Sequence, residues 1–173
     1  MEISEHITYR EAINSITAIR NGLDNTPNEA QLYNIKIWAS KVFEPLRKLS
    51  ACPISVDSIY RSQQVNTYVG GVWNSQHLCN NGDSAGDLDN DNHPNRLQNN
   101  TLFYIAYNNL IVDYDQIIAE NIDETDHVGW IHISYNSRRN QRRNALVSFY
   151  NDEKIRVYKF FDPVKGFIKS KYI

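Results

Sequence analysis

Disulfide frameworks, export signals and membrane-spanning runs are all missing from the 173-residue sequence. Its two cysteines, Cys52 and Cys79, make one pair at most, which is too few for a disulfide framework. Residues 1–20 mix charged side chains with isolated apolar ones, unlike a signal peptide, and no apolar run approaches the roughly 20 residues that span a bilayer. We therefore expect no signal peptide and no transmembrane segment.

An excess of charge of one sign is also missing. The chain has 18 Lys and Arg against 20 Asp and Glu, and the formal net charge of -2 leaves no electrostatic footprint for nucleic acid or an anionic membrane. We therefore expect neither as a partner. One basic cluster stands out, and a solvated turn or helix face is the simplest interpretation of it. Its members are Arg138, Arg139, Arg142 and Arg143.

The length and composition fit one globular domain. A chain of 173 residues can bury a core without disulfide or metal support, and 41% hydrophobic with 22% charged residues is typical of a folded domain. Because no internal repeat or linker divides the chain, we expect a single domain over residues 1–173.

Two helix start signals occupy the N-terminal part. Thr8 followed by Glu11 is a capping box, in which each side chain accepts a hydrogen bond from a backbone N–H at the helix start. Thr26, Pro27 and Glu29 repeat the pattern, with proline at the first helical position. The apolar residues that follow recur at steps of three and four, which predicts a core-facing helix. They are Ile35, Trp38, Val42, Leu46 and Leu49.

Most strand signals come later in the chain, and the fold class is therefore α+β. Residues 130–135 alternate cleanly between apolar and other side chains, with His132 between Trp130 and Ser134 on one face. Residues 102–110 fit either a helix or a strand. The remaining predictions are strands at 54–57, 145–150 and 155–161, a short helix at 115–120, and a loop at 76–98.

Three residues make a candidate metal site: His77, Asp87 and His132. Two histidines and a carboxylate can hold zinc with a water in the fourth position, an arrangement typical of catalytic sites. The pKa of such a water falls from about 15.7 toward 7, which yields a hydroxide nucleophile. Spacing alone leaves an alternative open, in which His77 and Asp87 are solvated loop residues and His132 is a half-buried, hydrogen-bonded histidine.

Several stretches, in order along the chain, resemble segments of one enzyme family. They are Asp24-Asn25-Thr26-Pro27-Asn28-Glu29, Glu44-Pro45-Leu46-Arg47, Ser58-Ile59-Tyr60-Arg61-Ser62 with Val65-Asn66, Val69-Gly70-Gly71 with Ser75-Gln76-His77, Asp115-Gln116-Ile117-Ile118, and Trp130-Ile131-His132-Ile133-Ser134-Tyr135. The chain resembles the zinc D-alanyl-D-alanine carboxypeptidases, especially their short phage and prophage members, which share a fold with L-alanyl-D-glutamate endolysins and VanX-type dipeptidases. The resemblance runs from near Ile3 to about Phe149. It implies a hedgehog-like fold, with N-terminal helices packed on a small, mostly antiparallel sheet.

The resemblance also implies roles for individual residues. The three candidate ligands would hold Zn²⁺. Arg61 would meet the substrate carboxylate or the developing oxyanion, a role that suits a planar, permanently charged guanidinium. Ser75 and Tyr60 would contribute to substrate binding, Ser75 by supporting the site from behind.

The loop between the first two ligands is longer by three residues than the family pattern H-x-x-G-x-A-x-D. Loops tolerate such insertions at small entropic cost. We prefer Asp87 as the ligand because Ala85-x-Asp87-Leu88 keeps the local pattern of the family. Asp83 and Asp89 stay open as alternatives to Asp87, and Asp91, His93 and Cys79 stay open as additional ligands.

The general base is less defined. Related peptidases often carry an acid three residues before the last ligand histidine, where it moves a proton from the water to the leaving amine, but Gly129 occupies that position. Glu120 and Asp126 are the candidates for this role, and we favour Glu120. His127 is a further alternative, since imidazole titrates near neutral pH.

The resemblance implies hydrolysis of an amide bond in peptidoglycan stem peptides or cross-bridges, by an endolysin or D,D-carboxypeptidase. We expect a monomer that is phage-encoded, made in the host cytoplasm and active on the cell wall, after lysis or as part of a virion. Two alternatives from other classes are a catalytically degenerate peptidoglycan-binding or virion structural module on the same fold, and a metal-independent interaction domain.

Overall fold

A six-stranded sheet is the centre of the computed structural model, which describes residues 2–91 and 98–173. Its strands are β1 (Val56–Ser58), β2 (Asp83–Leu88), β3 (Gln116–Glu120), β4 (Trp130–Asn136), β5 (Asn144–Tyr150) and β6 (Arg156–Phe160). They lie in the order β1-β2-β4-β3-β5-β6. Only β3 and β5 pair in parallel, whereas the other neighbours are antiparallel. The predicted α+β fold with a mostly antiparallel sheet is confirmed.

Most helices come before the sheet. They are α1 (Tyr9–Ile13), α2 (Ile16–Asn21), α3 (Glu29–Trp38), α4 (Glu44–Ser50), α5 (Gln63–Tyr68) and α6 (Asn99–Asn108), with 3₁₀ turns at Gln76–Leu78 and Lys169–Lys171. The capping box of Thr8 and Glu11 forms as predicted at the start of α1. The second box differs, since Asn28 and Gln31 cap α3 reciprocally through two bonds of 2.9 Å. Pro27 therefore precedes the cap instead of opening the helix.

The helices α3 and α4 form one long helix, joined by a π-helical turn at Ala39–Phe43. Pro45 lies inside it and has no N–H to offer the carbonyl of Lys41, four residues earlier. The backbone N–H of Asp113 donates to that carbonyl instead, at 3.2 Å. The predicted apolar stripe is buried along this helix, except for Leu49, which is 37% exposed.

Two local predictions were wrong, and for the same reason. Residues 115–120 were expected to be helical but form β3, and the expected loop at 76–98 contains β2. Both strands are paired on each side, β3 with β4 and β5 and β2 with β1 and β4. Pairing with neighbouring strands decides the conformation of such short segments more strongly than their own propensity does. The open choice at 102–110 is resolved as the helix α6.

The sheet has one covered face and one open face. The side chains of Ile117, Ile131 and Ile133 are fully buried in the core on the covered face, which packs against the long helix and α6. The indole N–H of Trp38 donates to the Ile133 carbonyl at 3.0 Å and fixes the helix on the sheet. Because side chains alternate along a strand, His132 points to the open face. The covered face therefore forms the core, and the open face is the side of the sheet on which a functional site can lie.

Gly86 is the closest approach between β2 and the long helix. A Cβ atom at this position would lie 2.4 Å from Cζ2 of Trp38, which is a severe overlap. We expect Gly86→Ala to lower the free energy of unfolding by roughly 2–3 kcal/mol through overpacking, measured by denaturant unfolding. In a Trp38→Leu background the smaller side chain leaves room, so the added cost of Gly86→Ala should shrink. An equal cost in both backgrounds would show that the contact with Trp38 is not its cause.

Candidate metal centre and catalytic cleft

Three side chains converge on the open face of the sheet. His77 Nε2 lies 3.2 Å from Asp87 Oδ1 and 3.2 Å from His132 Nδ1, and His132 Nδ1 lies 3.0 Å from Asp87 Oδ1. We call His77, Asp87 and His132 the metal triad. The structure therefore brings together the three residues that the resemblance implied as ligands, across 55 residues of sequence.

The backbone around the metal triad explains how it is held. Asp87 and His132 are directly paired residues of β2 and β4, so their side chains leave the same face of the sheet. His77 lies in the first 3₁₀ turn, and its Nδ1 donates to the carbonyl of Ile59 at 2.8 Å. That bond places the ring proton on Nδ1 and leaves the lone pair of Nε2 directed at the other two ligands.

The arrangement fits a zinc ion. Zinc bonds of about 2.0–2.1 Å in tetrahedral geometry put neighbouring ligand atoms about 3.3 Å apart, close to the 3.0 and 3.2 Å within the metal triad. Three electron-pair donors at this distance repel one another unless a cation lies between them or a proton is shared. Two imidazole nitrogens and a carboxylate oxygen are also the donor types that zinc prefers.

The protonation states of the metal triad suit a metal ligand set. Burial lowers the pKa of His77 and keeps the imidazole neutral, as metal binding requires. Burial alone would raise the pKa of Asp87, but the neighbouring His77 and His132 outweigh it and hold that pKa far below the usual range. Asp87 therefore stays ionised at any physiological pH.

Arg61 lies beside the metal triad. Its Nη2 is 3.6 Å from Asp87 Oδ2, and its backbone N–H donates to the His77 carbonyl at 2.9 Å. Its Nε is buried and has no hydrogen-bond partner among the described residues. Burial lowers the pKa of Arg61, yet a guanidinium keeps its charge in proteins. A guanidinium that lies beside the metal triad and has an unpaired N–H donor is suited to bind an anionic oxygen of a substrate.

The metal triad opens into a cleft of about 1020 Å³. The floor of this cleft is the open face of the sheet, and one wall is the 69–77 segment. Its lining includes Arg61, His77, Asp87, Ile118, Glu120, Trp130, His132 and Tyr158, with Gln116, Arg139 and Arg142 also contributing. The space is large enough for a short extended peptide.

Glu120 is the acid on the floor of the cleft. It pairs with Trp130 across β3 and β4, while Ile118 pairs with His132, so Glu120 is the diagonal neighbour of His132 on the same face. Diagonal neighbours lie about 7–8 Å apart, a distance that long side chains bridge. Burial raises the pKa of Glu120, whereas the hydrogen bond from Ser148 and the charges of His132 and Arg156 lower it.

A comparison with protein-family models matches residues 5–108, more than half of the chain, to Peptidase M15. The chain belongs to the M15 peptidase family. This is the family of zinc D-alanyl-D-alanine carboxypeptidases, and its zinc dependence agrees with the metal triad. A search among curated proteins found no significant match. In the part of the chain that the structure describes, no helix has the length and apolar character to cross a bilayer.

The family match ends before two residues of the site. Arg61, His77 and Asp87 lie within the matched range, whereas Glu120 and His132 lie beyond it. In this M15 peptidase the last two are carried by the adjacent strands β3 and β4.

Gly129 cannot easily carry the acid that related enzymes place there. Its N–H donates to the Glu120 carbonyl at 2.9 Å, and a Cβ atom would lie 3.3 Å from both that oxygen and Cβ of Asn121. The position is therefore tightly packed against β3. Glu120, one strand away, supplies a carboxylate on the same face as His132.

Of the other predicted site residues, one lines the cleft and two do not. Ser75 lines the cleft. Tyr60 does not, because its side chain is buried and its hydroxyl donates to Gln31 Oε1 at 3.1 Å. Asp126 is also outside the cleft lining, and its Oδ1 accepts the backbone N–H of Lys169 at 2.9 Å. Neither Tyr60 nor Asp126 is placed to touch a substrate bound at the metal triad.

The alternative ligands have partners of their own. The Asp83 carboxylate accepts from Asn136 at 2.8 Å, and Asp89 accepts from Asn99 at 3.0 Å. Asp91 pairs with His127 at 2.7 Å, and His127 is not part of the cleft lining. Cys79 is buried with its thiol 3.4 Å from the Ser84 hydroxyl, and burial raises its pKa to about 12. His93 lies outside the described residues.

Sequence reasoning missed three contributors to the cleft. Ser148 donates to Glu120, and Arg156 lies with Nη1 4.0 Å from Glu120 Oε2. Asp115, which is fully buried, anchors Arg139 and Arg142, so the basic cluster is not simply a solvated face. The available signal for Arg156 was its alternation with Tyr158 along a predicted strand. The pairing of Asp115 with Arg139 and Arg142 could not be predicted from the sequence.

The pH profile of the enzyme should report the environment of Glu120. As a base, Glu120 works only when ionised, so activity should rise with pH through its raised pKa. The hydrogen bond from Ser148 lowers the pKa of Glu120, so its removal should raise that pKa further. We therefore expect Ser148→Ala to move the acidic limb of kcat/KM to higher pH. A limb that stays in place, with the variant folded, would argue against Glu120 as the titrating base.

Proposed function

We propose that this M15 peptidase hydrolyses an amide bond in peptidoglycan stem peptides or cross-bridges. The observation that carries the proposal is the presence of the metal triad, Arg61 and Glu120 in one open cleft. A metal ligand set, a cation with an unused donor and a buried carboxylate are the three parts that metal-assisted amide hydrolysis needs. Peptidoglycan is the partner that follows from the family, whose carboxypeptidases act on D-alanyl-D-alanine.

The residues of the cleft have separate tasks in this mechanism. His77, Asp87 and His132 would hold the zinc, which would lower the pKa of a bound water toward 7 and polarise the scissile carbonyl. Glu120 accepts the proton of the attacking water and passes it to the leaving nitrogen. Arg61 stabilises the negative charge that develops on the carbonyl oxygen, or holds a substrate carboxylate beside it.

Segments from inside and outside the family match build this site together, which supports the proposal of one zinc peptidase domain over residues 1–173. The strand β2 from the matched region pairs with β4 from outside it, residue by residue from Asp83 to Leu88. Phage origin, release at lysis and a monomeric state stay predictions.

The direct test is incubation of the zinc-loaded protein with purified peptidoglycan and with a stem pentapeptide ending in D-Ala-D-Ala. We expect new amino termini from the polymer or free D-alanine from the peptide, and the loss of both after chelation. Binding to peptidoglycan without any cleavage would instead support the non-catalytic module, the alternative that Gly129 favours. No binding and no cleavage would reject peptidoglycan as the partner.

A further inference from the structure

Arg142 is a cation in the cleft lining that the mechanism above does not use. It is oriented by Asp115, whose carboxylate receives the Nε–H at 3.0 Å, an Nη2–H at 2.5 Å and the backbone N–H of Arg142 at 2.9 Å. The Asp115 side chain is 0% exposed, whereas that of Arg142 is 47% exposed. The buried carboxylate therefore acts as a fixed anchor that holds a guanidinium at the surface of the cleft.

The neighbouring Arg139 differs from Arg142 in its pairing. Arg139 binds Asp115 through both terminal nitrogens and also lies 3.8 Å from the Asp83 carboxylate. Its charge is thus shared between two acids. Arg142 has no second acid, and its Nη1 has no hydrogen-bond partner among the described residues. Arg142 is consequently the member of the pair with charge and donors available to a ligand.

The position of Arg142 along the cleft fixes which part of a substrate it can reach. His132 pairs with Ile118 in the sheet. Asp115 lies three residues before Ile118 along the chain, and Glu120 lies two residues after it. At about 3.4 Å per residue, Asp115 is about 10 Å from the level of the metal triad. For a substrate that runs along β3, the leaving amine lies toward Glu120, which protonates it, and Arg142 then lies on the acyl side of the scissile bond.

We propose that Arg142 recognises a carboxylate on the acyl part of the substrate, up to about three residues before the bond that is cut. The proposal rests on the proposed peptidase function, because the acyl side is defined by the role of Glu120. In a stem peptide this chemistry has two sources, the α-carboxylate of a γ-linked D-glutamate and the side-chain carboxylate of diaminopimelate. Arg142 would select stem peptides in which that carboxylate is free over those in which it is amidated.

The test uses three synthetic stem pentapeptides ending in D-Ala-D-Ala. One carries both carboxylates free, one has the glutamate carboxylate amidated, and one has the diaminopimelate carboxylate amidated. We expect wild type to prefer the free form by about 10- to 100-fold in kcat/KM over one of the amidated forms, the usual range for a charge-assisted hydrogen bond. The arm that shows the preference identifies the source.

Arg142→Gln should abolish this preference by slowing only the cleavage of the free form. Arg139 and the backbone N–H of residue 142 still bind Asp115 in this variant, so the fold should be kept, as thermal unfolding will show. Arg138→Gln is the matched control, since Arg138 lies in the same turn but outside the cleft lining, and it should keep the preference.

Three outcomes would overturn the proposal. They are equal cleavage of all three peptides by wild type, a preference that survives Arg142→Gln, and a loss of rate that is the same for every peptide. Binding of the same peptides, measured by calorimetry, separates this proposal from the catalytic one. If wild type cleaves nothing, an Arg142-dependent preference in Kd still supports the carboxylate subsite, and its absence rejects it.

Discussion

Replacement of His132 by alanine should release the zinc and abolish hydrolysis. His132 supplies one of three ligand atoms that lie 3.0 to 3.2 Å apart, so its loss leaves two ligands and no tetrahedral site. Loss of a residue that only supports a ligand weakens metal affinity by about 10- to 100-fold, and we expect a direct ligand to exceed that range. The measurement is zinc content by elemental analysis, with new amino termini from peptidoglycan as the second readout.

A thermal readout tests the same prediction without activity. Zinc at 100 times its Kd should stabilise wild type by about 2.7 kcal/mol, which raises Tm by about 5–10 °C for a chain of this size. His132→Ala should show no such rise. His127→Ala is the matched control, because His127 pairs with Asp91 away from the metal triad and should leave zinc binding intact. Wild type that stays zinc-free under metal-replete conditions would reject the metal centre.

Glu120→Gln should have the second largest effect, a fall in kcat of about 10²- to 10⁴-fold, which is typical for the loss of a general acid–base group. The amide keeps the size and hydrogen bonding of the side chain but cannot take up a proton. Zinc content should be unchanged, since Glu120 is not a member of the metal triad. Kinetics on a D-Ala-D-Ala peptide measure the fall in kcat, and elemental analysis measures the zinc content.

Asp126→Asn provides the control for Glu120→Gln. Asp126 has a φ of 63°, a left-handed conformation that asparagine accepts well. Its amide oxygen can still receive the Lys169 N–H, so the fold should be unaffected. We expect full activity from this variant. A large loss in Asp126→Asn with none in Glu120→Gln would reverse the assignment of the base.

The sequence was most informative where residue type and period agreed. The alternation of residues 130–135 located β4 and put His132 on the face opposite to Ile131 and Ile133, as the structure has it. The resemblance then linked His132 to His77 and Asp87, which no periodicity could do. The first capping box and the apolar stripe of the long helix were also predictable, because both depend on residues close together in sequence.

What the sequence could not reveal depends on contacts between distant segments. Glu120 was a candidate base, but its place beside His132 follows from the pairing of β3 with β4, and residues 115–120 look helical in isolation. Asp115 gains its role from arginines 24 and 27 residues later. The contact of Gly86 with Trp38 likewise arises only when the long helix packs on the sheet.

The order of strands in the sheet keeps the proposed catalytic site incomplete until nearly all of the chain has been synthesised. His77 and Asp87 leave the ribosome well before β4, which must insert between β2 and β3 to bring His132 to them. A nascent or truncated chain that ends at residue 108 lacks both His132, the proposed third ligand, and Glu120, the proposed base. We therefore expect the proposed hydrolytic activity only after β4 has joined the sheet, and we expect a single proteolytic cut between β2 and β4 that freed the C-terminal segment to abolish it.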